Sequence, residues 1–366
     1  MPVMGHRMMG KGIFTNSPLL PAEIVLAPAW WFANAGITFD EDFFYNPARR
    51  VEEERKMEKA LYERWGRFGL GENRDKSLPL VGPVHLAAGY LFPEMFGCKV
   101  EYKEDAPPQQ KCAEVPDLNI SAEAAFESCA CKRFQGLVEN LEKKYGYVVG
   151  DVGVAAILNL AMDLRGENLF LDMFDKPDDV RRFFDEIAKV TKKFTQHLQK
   201  KTGSTSISVN RTVRHLEPAV FVHSECSHTM ISVTDYEKFL FKYDAEWSRQ
   251  YRPFGIHFCG PDPHRYAQSF AKLPHLDWLD VGWGGDVKKL RQALPDTFLN
   301  IRLSPVEIID QSISQIEDTI RRLVAYSANP HLTGLCCINM DEKVSDEKIS
   351  CIFETAAALR NEYSHL

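Results

Sequence analysis

The chain has 366 residues, 45% hydrophobic and 26% charged, an ordinary globular composition that excludes a disordered polymer. Its net charge of −7 comes from acids and bases mixed along the chain, with no basic stripe to follow a phosphate backbone, so nucleic acid is not an expected partner. No stretch approaches the length needed to span a bilayer and Met1 to Lys11 lacks the apolar run of a signal peptide, so the expectation is a cytoplasmic protein without membrane association.

The N-terminal part is unusually aromatic, with Trp30, Trp31 and Phe32 followed by Phe39, Phe43, Phe44 and Tyr45. The default expectation is packing of an extension. An alternative is a cover over a binding site, to which it would present a flat apolar wall. Asn46-Pro47 then opens a helix as cap and first-turn proline; it runs through Val51, Met57, Leu61 and Trp65 towards Gly66. Its charged residues, Arg49 and Arg50 and those from Glu52 to Lys56, are expected on a solvated face. From Leu70 to about Asp117 prolines, glycines and aromatics recur irregularly, as in Gly82-Pro83-Val84-His85 and Pro107-Pro108, which suits long loops. The nine cysteines of the chain are odd in number and scattered, so reduced thiols are expected; Cys129 and Cys131 read as two thiols in a loop or helix start.

Beyond this point strand-like runs alternate with amphipathic helices, the signature of a parallel sheet built from βα units. A helix from Asp178 to Gly203 carries Val180, Phe183, Phe184, Ile187, Phe194 and Leu198 at helical spacing. Another is expected from Thr234, with Glu237 completing a capping box, and places Tyr236, Phe239, Leu240, Tyr243 and Trp247 on one stripe. Strands follow at Phe254 to His257, Trp278 to Val281, Leu299 to Leu303 and Leu332 to Ile338, with helices from about Pro263, Asp286, Pro305 and Ser345. No linker or internal repeat divides the chain. The expectation is a single (β/α)8 TIM barrel over 1–366, with an N-terminal extension over 1–70 and an active-site mouth formed by strand ends within 205–340.

His257-Phe258-Cys259-Gly260 sends an imidazole and a thiol to the same face of an extended segment, the right placement for two ligands of one metal. Cys336 and Cys337 end another apolar run, and one of them is expected to reach the same mouth. Two thiolates and a neutral imidazole would leave a neutral zinc site with an open fourth position, as in catalytic zinc. Glu225, within His223-Ser224-Glu225-Cys226-Ser227-His228, is a candidate supporting carboxylate, fourth ligand or proton acceptor. Asp280, at the end of its strand, is expected to point at the mouth, with Trp283 lining a pocket beside Gly284-Gly285.

These residues resemble the uroporphyrinogen decarboxylase superfamily. The likeness runs from about Phe39 to the C-terminus, rests most on His257-Phe258-Cys259-Gly260 with the later Gly334-Leu335-Cys336-Cys337, and is nearer the zinc-dependent, corrinoid-linked methyltransferases of the coenzyme M methylase type. The resemblance implies zinc on His257, Cys259 and either Cys336 or Cys337. It also implies methyl transfer to or from a corrinoid (cobalamin) carried on a partner protein, the small substrate being a thiol acceptor or a methylated donor. The family's second cysteine is doubled here, which leaves Cys336 and Cys337 open, with Cys336 preferred from the expected spacing. The arginine-rich N-terminal run of true uroporphyrinogen decarboxylases is missing, which disfavours porphyrinogen decarboxylation. The alternatives are a metal-independent decarboxylase of a small acid and a non-catalytic barrel that binds a corrinoid protein.

Overall fold

The computed structural model describes residues 12–73, 89–111, 117–148, 155–203 and 211–365. Strands in chain order are β1 (Ala22–Leu26), β2 (Lys99–Glu101), β3 (Gln109–Lys111), β4 (Phe221–Ser224), β5 (Phe254–Phe258), β6 (Trp278–Val281), β7 (Phe298–Leu303) and β8 (Thr333–Met340). Six of them form one parallel sheet in the order β1-β8-β7-β6-β5-β4, while β2 and β3 pair as a separate antiparallel ribbon. Of the eight barrel strands expected from the sequence, six are found among the described residues, and a closed barrel is not seen there.

Every residue of β4, β5, β6 and β7 is buried, as a parallel sheet covered on its outer face by helices and filled on its inner face requires. Their Val, Ile, Leu and Phe side chains each contribute about 1.5–3 kcal/mol on leaving water, which makes the strand run rather than any single pair the source of stability. The helix Pro177–Thr202 packs Val180, Phe183, Phe184, Ile187, Phe194 and Leu198 inward and ends in a left-handed Gly203, as its periodicity predicts. No described helix is long and apolar enough to cross a membrane.

The N-terminal segment supplies the edge strand β1, and most of its aromatics belong to the core, Phe32 being exposed and Tyr45 partly buried. Trp30, Trp31, Phe39, Phe43 and Phe44 are all buried, and Trp30 packs on Trp65 of the helix Pro47–Trp65. That helix is not solvated all along its charged stretch. Arg50 is fully buried, 4.7 Å from the Phe43 ring centre and 3.5 Å from the equally buried Glu54, because both fall on the helix face turned to the aromatic layer.

Two further expectations shift. The helix expected from Thr234 begins one residue earlier, at Val233, because Ser232 is the cap: its hydroxyl accepts from the Asp235 N–H at 3.0 Å. The irregular stretch after Leu70 contains the short helix Leu91–Met95 and the β2–β3 ribbon, while Gly82-Pro83-Val84-His85 lies outside the described residues. Cys131 is buried in the first turn of the helix Cys129–Tyr145, and Cys129 is exposed.

Candidate active site

Parallel register explains how distant residues meet. Ser224 on β4 stands opposite His257 on β5, His257 opposite Asp280 on β6, Asp280 opposite Asn300 on β7, and Asn300 opposite Gly334 on β8. These positions form one inward-facing layer. Two residues further along each chain, a second layer follows at the strand ends: Cys226, Cys259, Gly282, Arg302 and Cys336, of which Arg302 and Cys336 are themselves register partners.

The lower layer is a hydrogen-bond chain. His257 Nδ1–H donates to Asp280 Oδ2 at 2.5 Å, and Asn300 Nδ2 donates to Asp280 Oδ1 at 2.8 Å and to Cys336 Sγ at 3.3 Å. All four residues are buried. With Nδ1 carrying the proton, Nε2 is the lone-pair nitrogen, the arrangement a metal-ligating histidine uses. Burial by itself lowers the His257 pKa, but the Asp280 bond and the Cys259 sulfur outweigh it, and the net shift is upward.

The upper layer brings sulfur to that imidazole. One donor atom each from Cys226, His257 and Cys259 lie within 4.8 Å of one another. A hydrogen bond from the Cys226 thiol, with His257 and Arg302 nearby, holds Cys259 well below the usual thiol range, while Cys226 is pushed up. A tetrahedral zinc with bonds of roughly 2.3 Å to sulfur and 2.0 Å to nitrogen sets its donors about 3.5–3.8 Å apart; two thiols and an imidazole are the chemistry that holds zinc, and here their donors lie no more than 4.8 Å apart. Cys336 faces the same mouth through Asn300, with its Sγ 3.9 Å from Asp280 Oδ1. Cys337 points the other way and its thiol reaches the Leu303 carbonyl at 3.8 Å, as strand alternation demands.

Glycines permit the close approach. A Cβ on Gly260 would stand 2.0 Å from Thr229 Cγ2, and one on Gly282 would stand 1.8 Å from the Gly260 carbonyl oxygen, so the β5 and β6 loops touch backbone to backbone just where Cys259 emerges. Trp283, beyond that contact, is 40% exposed and lines a cavity of about 230 Å3 with Arg302, Ser304 and Gln311.

Glu225 faces a different group. Its carboxylate oxygens lie 3.2 Å from His223 Nδ1 and 2.9 Å from His228 Nδ1, and His223 also bonds Asp244 at 2.8 Å. All four residues are buried; burial raises Glu225 and lowers His228 to about 4. The link to the thiols is through the backbone, where Glu225 N–H donates to the His257 carbonyl at 2.7 Å. Sequence reading missed Cys226, Asn300 and Arg302 as members of the site. The signal available was a polar residue two places beyond, or at, each inward position of a predicted strand.

No protein-family model and no curated protein matches the chain. Solved structures do match over nearly the whole length. A methyltransferase from Methanosarcina mazei aligns with a TM-score of 0.62 at 13% identity, over 93% of this chain and 94% of that one. The likeness is one of fold. A B12-independent methionine synthase from Shewanella sp. W3-18-1, in complex with selenomethionine, aligns with a TM-score of 0.51 at 11% identity, over 95% of this chain and 100% of that one. The chain therefore shares its α/β architecture with methyltransferases.

Proposed function

We propose that the protein is a zinc-dependent methyltransferase that moves a methyl group between a corrinoid protein and a small substrate, either a thiol acceptor or a methylated donor. The observation that carries this reading is the convergence of Cys226, His257 and Cys259 at the C-terminal ends of parallel strands, in a fold shared with methyltransferases. In a sheet of this kind those ends are where chemistry is built.

The metal ligands are His257, Cys259 and a second thiolate. Cys226 is the thiol whose sulfur stands with the other two donors; Cys336, the ligand suggested by resemblance, is the alternative on the same layer. A zinc ion held there supplies Lewis acidity, either lowering the pKa of a bound thiol or easing departure of a methyl group from an ether. The protein's own residues do the rest. Asp280 keeps the His257 proton on Nδ1, Asn300 fixes the Asp280 carboxylate, and Glu225 ties β4 to β5 behind the thiols. Trp283 forms a wall of the cavity beside the mouth.

The test is to measure zinc in the freshly purified full-length chain. The protein is then mixed with methylcobalamin or cob(I)alamin, and the cobalt absorption is followed against a panel of thiols and methoxy-aromatics. The expected results are about one zinc per chain, lost on Cys259→Ser, and a cobalt spectral change with one substrate class only. A folded protein that neither retains nor takes up zinc sinks the proposal. Activity unaffected by Cys259→Ser would favour the metal-independent decarboxylase instead.

A further inference from the structure

Ser224 and Cys226 face the mouth, so alternation along the end of β4 sends His223 and Glu225 to the other side of the strand, towards the helix Phe241–Gln250. There they meet Asp244 of that helix and His228 of the turn Cys226–Met230, and all four side chains are buried. The group has too few protons for its oxygens. Two donors go to Asp244: the Tyr236 hydroxyl reaches Oδ2 at 2.7 Å and His223 Nδ1 reaches Oδ1 at 2.8 Å. Glu225 is left without one. Among the described residues neither of its oxygens has a hydrogen-bond partner, and the same holds for both ring nitrogens of His228 and for His223 Nε2. A buried carboxylate with no donor is costly to keep, because its hydration is lost without return.

The contacts around Glu225 are close all the same. Its oxygens stand 3.2 Å from His223 Nδ1 and 2.9 Å from His228 Nδ1. His223 Nδ1 therefore has a carboxylate oxygen of Glu225 at 3.2 Å and one of Asp244 at 2.8 Å, and a single proton on that nitrogen serves only one of them well. One donor atom each from His223, Glu225 and Asp244 lie within 4.8 Å of one another. An octahedral ion with bonds of roughly 2.1 Å sets neighbouring donors about 3.0 Å apart, between the two distances measured from Nδ1. Two carboxylates balance the charge of a divalent ion. The Tyr236 hydroxyl steadies Asp244 by its other oxygen, as the outer partner of a ligating carboxylate does.

We propose that His223, Glu225 and Asp244 form a second metal site, on the opposite side of β4 from the thiols, that holds a divalent cation between this strand and the helix Phe241–Gln250. One imidazole and two carboxylates are a harder donor set than the thiols across the strand; they suit manganese(II) or iron(II), where Cys226, His257 and Cys259 suit zinc. The ion's role is structural. It fixes Glu225, whose N–H donates to the His257 carbonyl at 2.7 Å, and with it the position of the Cys226 that follows. The inference does not depend on methyl transfer, and its test requires no turnover.

The full-length chain is produced in medium supplemented with manganese and freed of loose ions by gel filtration, and its zinc, manganese and iron are counted by elemental analysis. The expected result is about one manganese or iron per chain, kept in Cys259→Ser, which loses only zinc, and lost from both Glu225→Gln and Asp244→Asn. Pulsed electron paramagnetic resonance of the manganese form should also show coupling of the ion to an imidazole nitrogen. That measurement needs no substitution and stands even if the variants do not fold. A wild-type chain that carries zinc alone would overturn the proposal; Glu225 would then hold a proton where an ion is expected. So would manganese or iron that leaves with Cys259→Ser, manganese or iron that stays in both Glu225→Gln and Asp244→Asn, or a bound-manganese signal with no nitrogen coupling.

Discussion

Replacing Gly282 by alanine tests whether the β5 and β6 loops are held as close as the structure has them. The added Cβ would lie 1.8 Å from the Gly260 carbonyl oxygen, 2.8 Å from its carbon and 2.9 Å from the Cys259 carbonyl carbon. All three are backbone atoms, so no rotamer change relieves the clash. Reaching an ordinary non-bonded separation of about 3.4 Å requires the two loops to part by roughly 1.5 Å. Overpacking of this kind costs about 1–3 kcal/mol, read as a lower midpoint in urea with an unchanged slope. The displacement falls on the residue next to Cys259, and a misplacement of about 1 Å at a reacting group costs on the order of a hundredfold in rate, so substrate turnover should fall by at least that factor while secondary structure persists. The paired measurements are equilibrium urea unfolding and zinc affinity by chelator competition. A Gly282→Ala protein within about 0.5 kcal/mol of wild type, with unchanged zinc affinity, would refute the loop packing described here.

Asp280→Asn should weaken zinc binding by about 10–100-fold in chelator competition, because the amide cannot accept from both His257 and Asn300; affinity within twofold of wild type would remove Asp280 from the site. Cys226→Ser and Cys336→Ser separate the two candidates for the second thiolate: the one that is a ligand should lose most of its zinc on dialysis, the other should keep it, and retention in both would leave neither as a ligand. Asp163 gives a prediction about pH and stability. Burial raises its carboxyl to about 6 against the Gln110 hydrogen bond, so the folded state holds the proton more firmly than the unfolded one. The penalty is absent below pH 4 and grows as pH rises through 6. Asp163→Asn should therefore gain on wild type by on the order of 1–2 kcal/mol between pH 4 and pH 7, a figure discounted because the group is only half-buried. A stability difference independent of pH would contradict that assignment.

The elements after Asp178 are legible in the sequence because each is specified locally. Hydrophobic spacing fixes the helix Pro177–Thr202, and short β-branched and aromatic runs fix β5 to β8 to within a residue or two. What local pattern does not carry is burial of charge. Arg50 and Glu54 read as solvated in the helix Pro47–Trp65 and are buried, since the aromatic layer that covers them comes from Phe43, on the short helix before it. Asp244 likewise reads as a polar position of the helix Phe241–Gln250, and its partners His223 and Tyr236 come from other elements.

The site divides along the same line. His257 and Cys259 are legible because their relation is the period of two within a single strand. Cys336 is separated from Cys337 by that same period: the first points to Asn300, the second to the Leu303 carbonyl. Cys226 needs a further fact, the register that sets Ser224 against His257, since only then do two steps onward from each residue arrive at facing sulfurs. Arg302 needs the same step from Asn300, which stands opposite Asp280. Adjacent parallel strands in this sheet are in register at one level, so the pairs Ser224 and Cys226, His257 and Cys259, Asp280 and Gly282, Asn300 and Arg302, and Gly334 and Cys336 are the same two steps taken on five strands. The lower step holds the hydrogen-bond chain that orients the imidazole; the upper holds three thiols, one cation and one glycine. That glycine is the one upper-layer position whose side chain would close the gap between the β5 and β6 loops, and so the geometry of the sulfurs depends on an atom that residue 282 does not have.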